Sequence, residues 1–226
     1  MLFCKNNFLH FQPLQFHSIM PLVYQQNINE DTKLAVWQID EDVAFFASEL
    51  SIQKAIHHPI KRLHHFAGRY LLTQLDPNFP ISEIEIMPSK KPFIKAGDWY
   101  FSVAHSGNYA AAIISRSSNV GIDVEAPNVK VLHLKSKFLS ENEMVNLSAV
   151  DKDEITQLTI GWSIKEVLFK WYGLGQLDFK SNLQIKQMNV QKENWQFACT
   201  VDTIETQSCL VEVKLVNDMI LSWMVK

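Results

Sequence analysis

Residues 101–125 read FSVAHSGNYAAAIISRSSNVGIDVE, and their patterning decides the fold. WYFSVAH (99–105), Tyr109–Ser115 and Val120–Val124 are three apolar runs of strand length. Arg116-Ser117-Ser118-Asn119, between the last two, predicts a hairpin loop. In GIDVE (121–125), strand alternation puts Ile122 and Val124 on one face and Asp123 and Glu125 on the other. Upstream, a strand is expected over Leu34–Ile39, a helix from near Asp40, and a longer helix over Pro59–Leu75, ended by Asp76-Pro77. IEIM (84–87) reads as a strand, with PSKKPFI following it. Downstream, Ser140 and Glu143 form an S-x-x-E capping box that starts a helix reaching about Ala149. Asp153 caps the next helix, which Gly173 ends, and four β-like runs begin near residues 183, 195, 209 and 219. The pattern predicts an α+β fold in two halves, residues 20–107 and 108–226, with the switch near residues 106–109.

Of the 226 residues, 47% are hydrophobic and 20% charged, and the formal charge is -3. That balance supports a buried core and excludes a disordered chain. With no overall basic field, non-specific duplex binding is disfavoured and no nucleic-acid partner is expected. Cys4, Cys199 and Cys209 form no CxxC pair and stand near no His cluster at zinc-ligand spacing. They predict neither a disulfide framework nor a zinc site, and they suit a reducing cytoplasm. MLFCKNNFLHFQPLQFHSIM (1–20) lacks the unbroken apolar core and small-residue cleavage site of a signal peptide. No apolar run approaches the roughly 20 residues of a membrane span, so no membrane partner is expected. Regular patterning begins just after Met20, and residues 1–19 are read as an extension ahead of the natural start.

The side-by-side carboxylates of Asp123 and Glu125, about 6–7 Å apart along a strand, could reach one hard cation. Mg²⁺ takes one or two protein carboxylates and fills its octahedron with water and phosphate oxygens. Two solvated acids on a half-exposed strand are the plainer alternative. In WSIKEVLFKWYG (162–173), Ile164, Val167, Leu168 and Trp171 make a core-facing stripe, and Trp162, Lys165, Glu166, Phe169 and Lys170 occupy the other arc. Glu166 and Lys170 could be an exposed i,i+4 ion pair of about 0.2–0.5 kcal/mol. The two aromatics beside them need a ligand or another segment to cover them. His105 ends an apolar strand and could bind phosphate or cap a turn. Lys61, Arg62, Arg69, Lys90 and Lys91 are phosphate-capable and equally normal as solvated charges.

Taken in order, GRYLL (68–72), KKPFI (90–94), FSVAHSGNYAA (101–111), GIDVE (121–125), FLSENE (138–143) and W-S-x-K-E-x-x-x-K (162–170) resemble the 4′-phosphopantetheinyl transferase superfamily, in its long, surfactin-synthetase-activating type. The resemblance covers residues from about 60 to 180. It implies two similar α/β halves with pseudo-twofold symmetry, a monomer with its active site between the halves, and transfer of phosphopantetheine from coenzyme A to a serine of an apo acyl or peptidyl carrier protein, releasing adenosine 3′,5′-bisphosphate. By motif, Asp123, Glu125 and Glu166 look like Mg²⁺ ligands, with Glu166 also a base for the serine hydroxyl. Lys170 looks like the lysine that neutralises the pyrophosphate, His105 like the 3′-phosphate contact and Lys91 like the lysine along the nucleotide; Lys61, Arg62 and Arg69 match more loosely.

One residue departs from the family pattern: its S-H-S signature is here Ala104-His105-Ser106. A hydroxyl against a charged group is worth about 1.5–3 kcal/mol, so weaker coenzyme A binding is expected, with Ala104→Ser restoring it. A noncatalytic coenzyme A or carrier-protein binding module of the same fold is the alternative, and Ala104 is its sequence support. A Mg²⁺-dependent nucleotide hydrolase is a further alternative, disfavoured by the missing G-x-x-x-x-G-K-[ST] loop.

Overall fold

In chain order, β1 (Leu22–Asn27) and β2 (Thr32–Gln38) lead to helices α1 (Val43–Glu49) and α2 (Pro59–Leu75), and β3 (Ile84–Ile86) and β4 (Pro92–Ile94) form a small two-stranded sheet. β5 (Tyr100–Ser106), β6 (Tyr109–Ser115) and β7 (Val120–Glu125) follow. Helices α3 (Lys130–Phe138), α4 (Glu141–Leu147) and α5 (Glu154–Tyr172) then precede β8 (Leu183–Gln191), β9 (Asn194–Asp202), β10 (Thr206–Val216) and β11 (Met219–Val225). The computed structural model describes residues 21–50, 56–95, 97–191 and 194–226, and the extension expected over residues 1–19 lies outside them. The fold is α+β, as the patterning predicts. Strands β1 and β4 and helix α3 are elements the patterning did not single out.

The helix ends follow local chemistry. The Asp42 side chain accepts from Phe45 N at the start of α1, and Pro59 opens α2 behind an extended His58. Ser140 and Glu143 form the reciprocal capping box ahead of α4. Asp153 accepts from Thr156 N to start α5, and Gly173, at φ 71°, ends it in the left-handed conformation that glycine adopts freely.

The first sheet has the order β1-β2-β6-β5 and the second β7-β11-β10-β9-β8, antiparallel at every pairing. The hairpin expected across 116–119 does not form. β6 pairs with β2 and β5, whereas β7 pairs with β11, so residues 116–119 carry the chain from one sheet to the other. The hairpin is instead between β5 and β6, with Ser106 opposite Tyr109 and Gly107 turning at φ 57°. Sheet membership therefore changes after Ser115.

The layers run helix, sheet, sheet, helix. Ala35, Trp37, Ala112 and Ile114 pack under α2, and the alternate residues Leu34, Val36, Ala111 and Ile113 face the second sheet. There they meet Val120, Ile122 and Val124 of β7 with Leu221 and Trp223 of β11. The other face of the second sheet packs on α5 through Ile220 and Met224. β7 is an edge strand, and β5 supplies what its backbone lacks: Ile122 N donates to Ser102 Oγ at 3.3 Å.

Ile164, Val167, Leu168 and Trp171 are buried, as the stripe predicts. Lys165, expected on the opposite arc, is fully buried instead. Helices α3 and α4 and the chain after Gly173 cover that side, so α5 is enclosed nearly all round. Trp162 stacks on Phe179 (5.5 Å between ring centroids) and meets Phe138 edge-on, while Phe169 lies 5.4 Å from Phe179. The aromatics that lacked a cover are thus covered by the chain itself.

Candidate active site

The site forms where β7 lies closest to α5. At Gly121 a Cβ would stand 2.5 Å from the carbonyl oxygen of Val167, so only glycine permits this approach. Two residues on, and on the same face, Asp123 meets the helix. Its Oδ1 accepts from Lys170 Nζ at 2.6 Å, and its Oδ2 from Ser163 Oγ at 2.9 Å. Lys170 also donates to the Ile122 carbonyl at 3.3 Å. The ion pair that the sequence offered between Glu166 and Lys170 is thus replaced by one between Lys170 and Asp123.

Glu125 ends β7, and its Oε2 accepts from Ser106 Oγ at 2.8 Å, which joins the ends of β5 and β7. Burial, and then the charge of Asp123, push the Glu125 carboxyl up to about 7. Glu166 is also raised, first by burial and with Asp123 adding to it, while Lys170 pulls the other way. Three acids on two elements therefore feel one another. Among the described residues no group of three or more His, Cys, Asp or Glu is arranged to hold a metal ion as it stands. Asp123 is committed to Lys170 and Ser163, and Glu125 to Ser106. The donor set nevertheless suits a hard divalent cation: all three are carboxylates, and burial together with the charge of Asp123 disfavours the charged forms of Glu125 and Glu166 in a way that a cation would offset.

His105 stands exposed at the end of β5, its ring stacked 4.3 Å from that of His64 on α2, whose Nε2 bonds the Gly107 carbonyl at 2.8 Å. Although its surface is exposed, the protein around the ring desolvates it, and this first, then His64 and Lys170, lower the pKa of His105. His64 escaped the sequence reading; the signal was a second histidine pair, His64-His65, one helix turn before Arg69. Lys91 is held between the halves, donating to the Trp171 carbonyl at 2.8 Å and to Asn119 Oδ1 at 3.2 Å. Its stem lies against Gly173, where a Cβ would come within 2.1 Å of Lys91 Cδ. Burial brings its ammonium down to about 8. Lys91 and Lys170 line one cavity of about 370 Å³, walled between them by Phe101, Val103 and Phe169.

Lys61 and Arg62 are exposed on the first turns of α2, with the Arg62 guanidinium 5.8 Å from the Phe66 ring. Arg69 bonds His65 Nδ1 at 3.0 Å, and burial lowers its pKa to about 10. None of these three lines the cavity. Ala104 is buried in the cluster between the sheets, with Leu34, Val36 and Ile122. A hydroxyl there would enter apolar packing, so the expectation that serine at 104 would serve coenzyme A is not supported by its placement.

Residues 119–221 match the family model of the 4′-phosphopantetheinyl transferase superfamily. Similar proteins include the 4′-phosphopantetheinyl transferase Sfp of Bacillus subtilis (strain 168), 35% identical over 79 residues, 34% of this chain and 35% of the relative. A putative 4′-phosphopantetheinyl transferase of Synechocystis is 32% identical over 79 residues, 34% of this chain and 32% of the relative. A putative 4′-phosphopantetheinyl transferase of Haemophilus influenzae is 24% identical over 123 residues, 52% of each chain. The chain spans about a third to a half of the length of these relatives. The matched residues contain GIDVE on β7, WSIKEVLFK on α5 and the first residues of β11. Residues 119–221, the part of the chain that carries the site, are thus similar to the 4′-phosphopantetheinyl transferase superfamily.

Proposed function

We propose that this protein is a long-type transferase that moves the 4′-phosphopantetheine arm of coenzyme A onto a serine of an apo acyl or peptidyl carrier protein. The observation that carries this reading is the convergence of Asp123, Glu125, Glu166 and Lys170 where β7 meets α5. In the reaction the serine oxygen bonds to the β-phosphorus of the coenzyme, and the bond from that phosphorus to the bridging oxygen breaks. Adenosine 3′,5′-bisphosphate leaves with the bonding pair. Glu166, whose carboxyl is held above its ordinary range by burial and so favours the proton-bound form more than a free glutamate does, receives the serine proton directly or through water.

Asp123, Glu125 and Glu166 would hold Mg²⁺, which when bound would polarise the phosphoryl oxygens and neutralise charge that builds on them. Lys170, already beside Asp123, sets a second positive charge at the same place and edges the cavity. Lys91, as a cation, and His105, as a hydrogen-bond donor, supply contacts for the nucleotide phosphates. We take the protein to act as a monomer in the cytoplasm, with its active site between its two halves, residues 20–107 and 108–226. No helix among the described residues is long and apolar enough to cross a membrane.

Intact-mass measurement of an apo carrier protein, after incubation with this protein, coenzyme A and Mg²⁺, tests the reading. A gain of about 340 Da, the mass estimated from the arm's composition, that EDTA abolishes is the expected result. Asp123→Asn and Glu166→Gln should lower the rate by roughly 10²–10³-fold or more in folded protein. Coenzyme A binding with no mass gain on several carriers would favour the noncatalytic binding module instead.

A further inference from the structure

Behind Asp123 lies a polar chain that the transferase reading does not use. Ser163 Oγ is 2.9 Å from Asp123 Oδ2 and also 2.9 Å from Ser222 Oγ. Ser163 and Ser222 are wholly buried and Asp123 is 3% exposed. Ser222 stands directly opposite Asp123 in the β7–β11 register, and Ser163 comes up from α5 to meet both. Burying two hydroxyls is costly unless each is satisfied, and here they satisfy each other.

The direction of the chain follows from proton counting. A serine hydroxyl has one proton to donate and two lone pairs to accept with. The salt-bridged Asp123 carboxylate is the stronger acceptor, so it takes the proton of Ser163. Ser163 oxygen is then the acceptor for the proton of Ser222. With Lys170 fixing Oδ1, both carboxylate oxygens are pinned, and the Asp123 side chain keeps one orientation.

Resting on the proposed role of Asp123 as a metal ligand, we infer that Ser163 and Ser222 are positioning residues that aim the Asp123 carboxylate at the divalent cation, acting in series as Ser222 to Ser163 to Asp123. Hydrogen-bond partners of metal ligands are worth roughly 10–100-fold in metal affinity or activity. Loss of Ser163 severs the chain, whereas loss of Ser222 weakens it one step away.

The test is a double-mutant cycle of Ser163→Ala and Ser222→Ala, reading Mn²⁺ affinity of the coenzyme A-saturated protein from the electron paramagnetic resonance of free Mn²⁺, alongside KM for Mg²⁺ against kcat. Ser163→Ala should weaken Mn²⁺ by about tenfold or more. Ser222→Ala should weaken it less, and the double variant should match Ser163→Ala alone. A folded Ser163→Ala with wild-type Mn²⁺ affinity overturns the inference, as do two losses that simply multiply in the double variant. Should Ser163→Ala not fold, Ser163→Cys, close in size and a weak donor, gives the same comparison. A wild-type protein without metal-dependent transfer sinks the transferase reading and this one together; normal wild-type transfer with unaffected variants sinks this one alone.

Discussion

The Lys165 ammonium lies 2.6 Å from the Glu143 carboxylate, with 0% and 4% of the two side chains exposed. Lys165 also donates to the carbonyls of Phe179, at 2.8 Å, and Leu183. Glu143 accepts in turn from Ser140 N and, at 2.9 Å, from Ile185 N. The lysine of the W-S-x-K-E segment therefore ties α5 to α4 and to the start of β8, while its neighbour Glu166 turns to the site.

Removing one partner of such a pair strands a buried charge. Lys165→Met should cost about 3–5 kcal/mol of stability, read by urea unfolding. Adding Glu143→Leu should recover part of that loss, because no unpaired charge remains. A Lys165→Met protein of wild-type stability would show the pair to be dispensable.

Ala104 points into the packing between the sheets. Ala104→Ser should lower stability by about 1–3 kcal/mol, the cost of burying an unpaired hydroxyl, and leave coenzyme A affinity as it is. Calorimetric titration with coenzyme A decides, and tighter binding by the serine variant would mean that position 104 does reach the ligand.

Lys91 gives a pH signature. Its folded pKa of about 8 lies below the ordinary 10.5, so between these values the unfolded chain holds more protons. Stability should then rise with pH across that window, the burial cost being fully present below pH 8. Lys91→Met should remove this part of the slope, seen as a shrinking stability difference between the variant and wild type from pH 8 to 10. Coenzyme A binding near pH 8.5 should take up a proton, because a phosphate nearby favours the ammonium. Titration in buffers of different ionisation enthalpy measures this, and no uptake would place Lys91 away from the phosphates.

His64 stacks on His105, and if His105 contacts the 3′-phosphate of coenzyme A as the transferase reading proposes, His64 should share that contact. His64→Ala should weaken coenzyme A by about tenfold, the loss of one charge-assisted hydrogen bond, and leave dephospho-coenzyme A unaffected. Equal losses for both ligands would assign His64 to the shape of α2 alone.

Much of this protein was legible in its sequence wherever the cause is local. Capping by Ser140 and Asp153, the stop at Gly173 and the extent of α2 depend on residues within a turn or two, and strand alternation alone put Asp123 and Glu125 on one face. What needed the tertiary structure is what two distant segments do to each other. Pairing of β7 with β11 instead of β6 is chosen by the packing of two sheets, and no property of residues 116–119 records it. Lys165 and Lys170, five residues apart on one helix and alike in sequence, part ways because one meets Glu143 of α4 inside the protein and the other Asp123 at the edge of the cavity. Helical periodicity describes a helix with one covered face; α5 is covered nearly all round, so the partners across space, rather than the pattern along the chain, assign each charge its role.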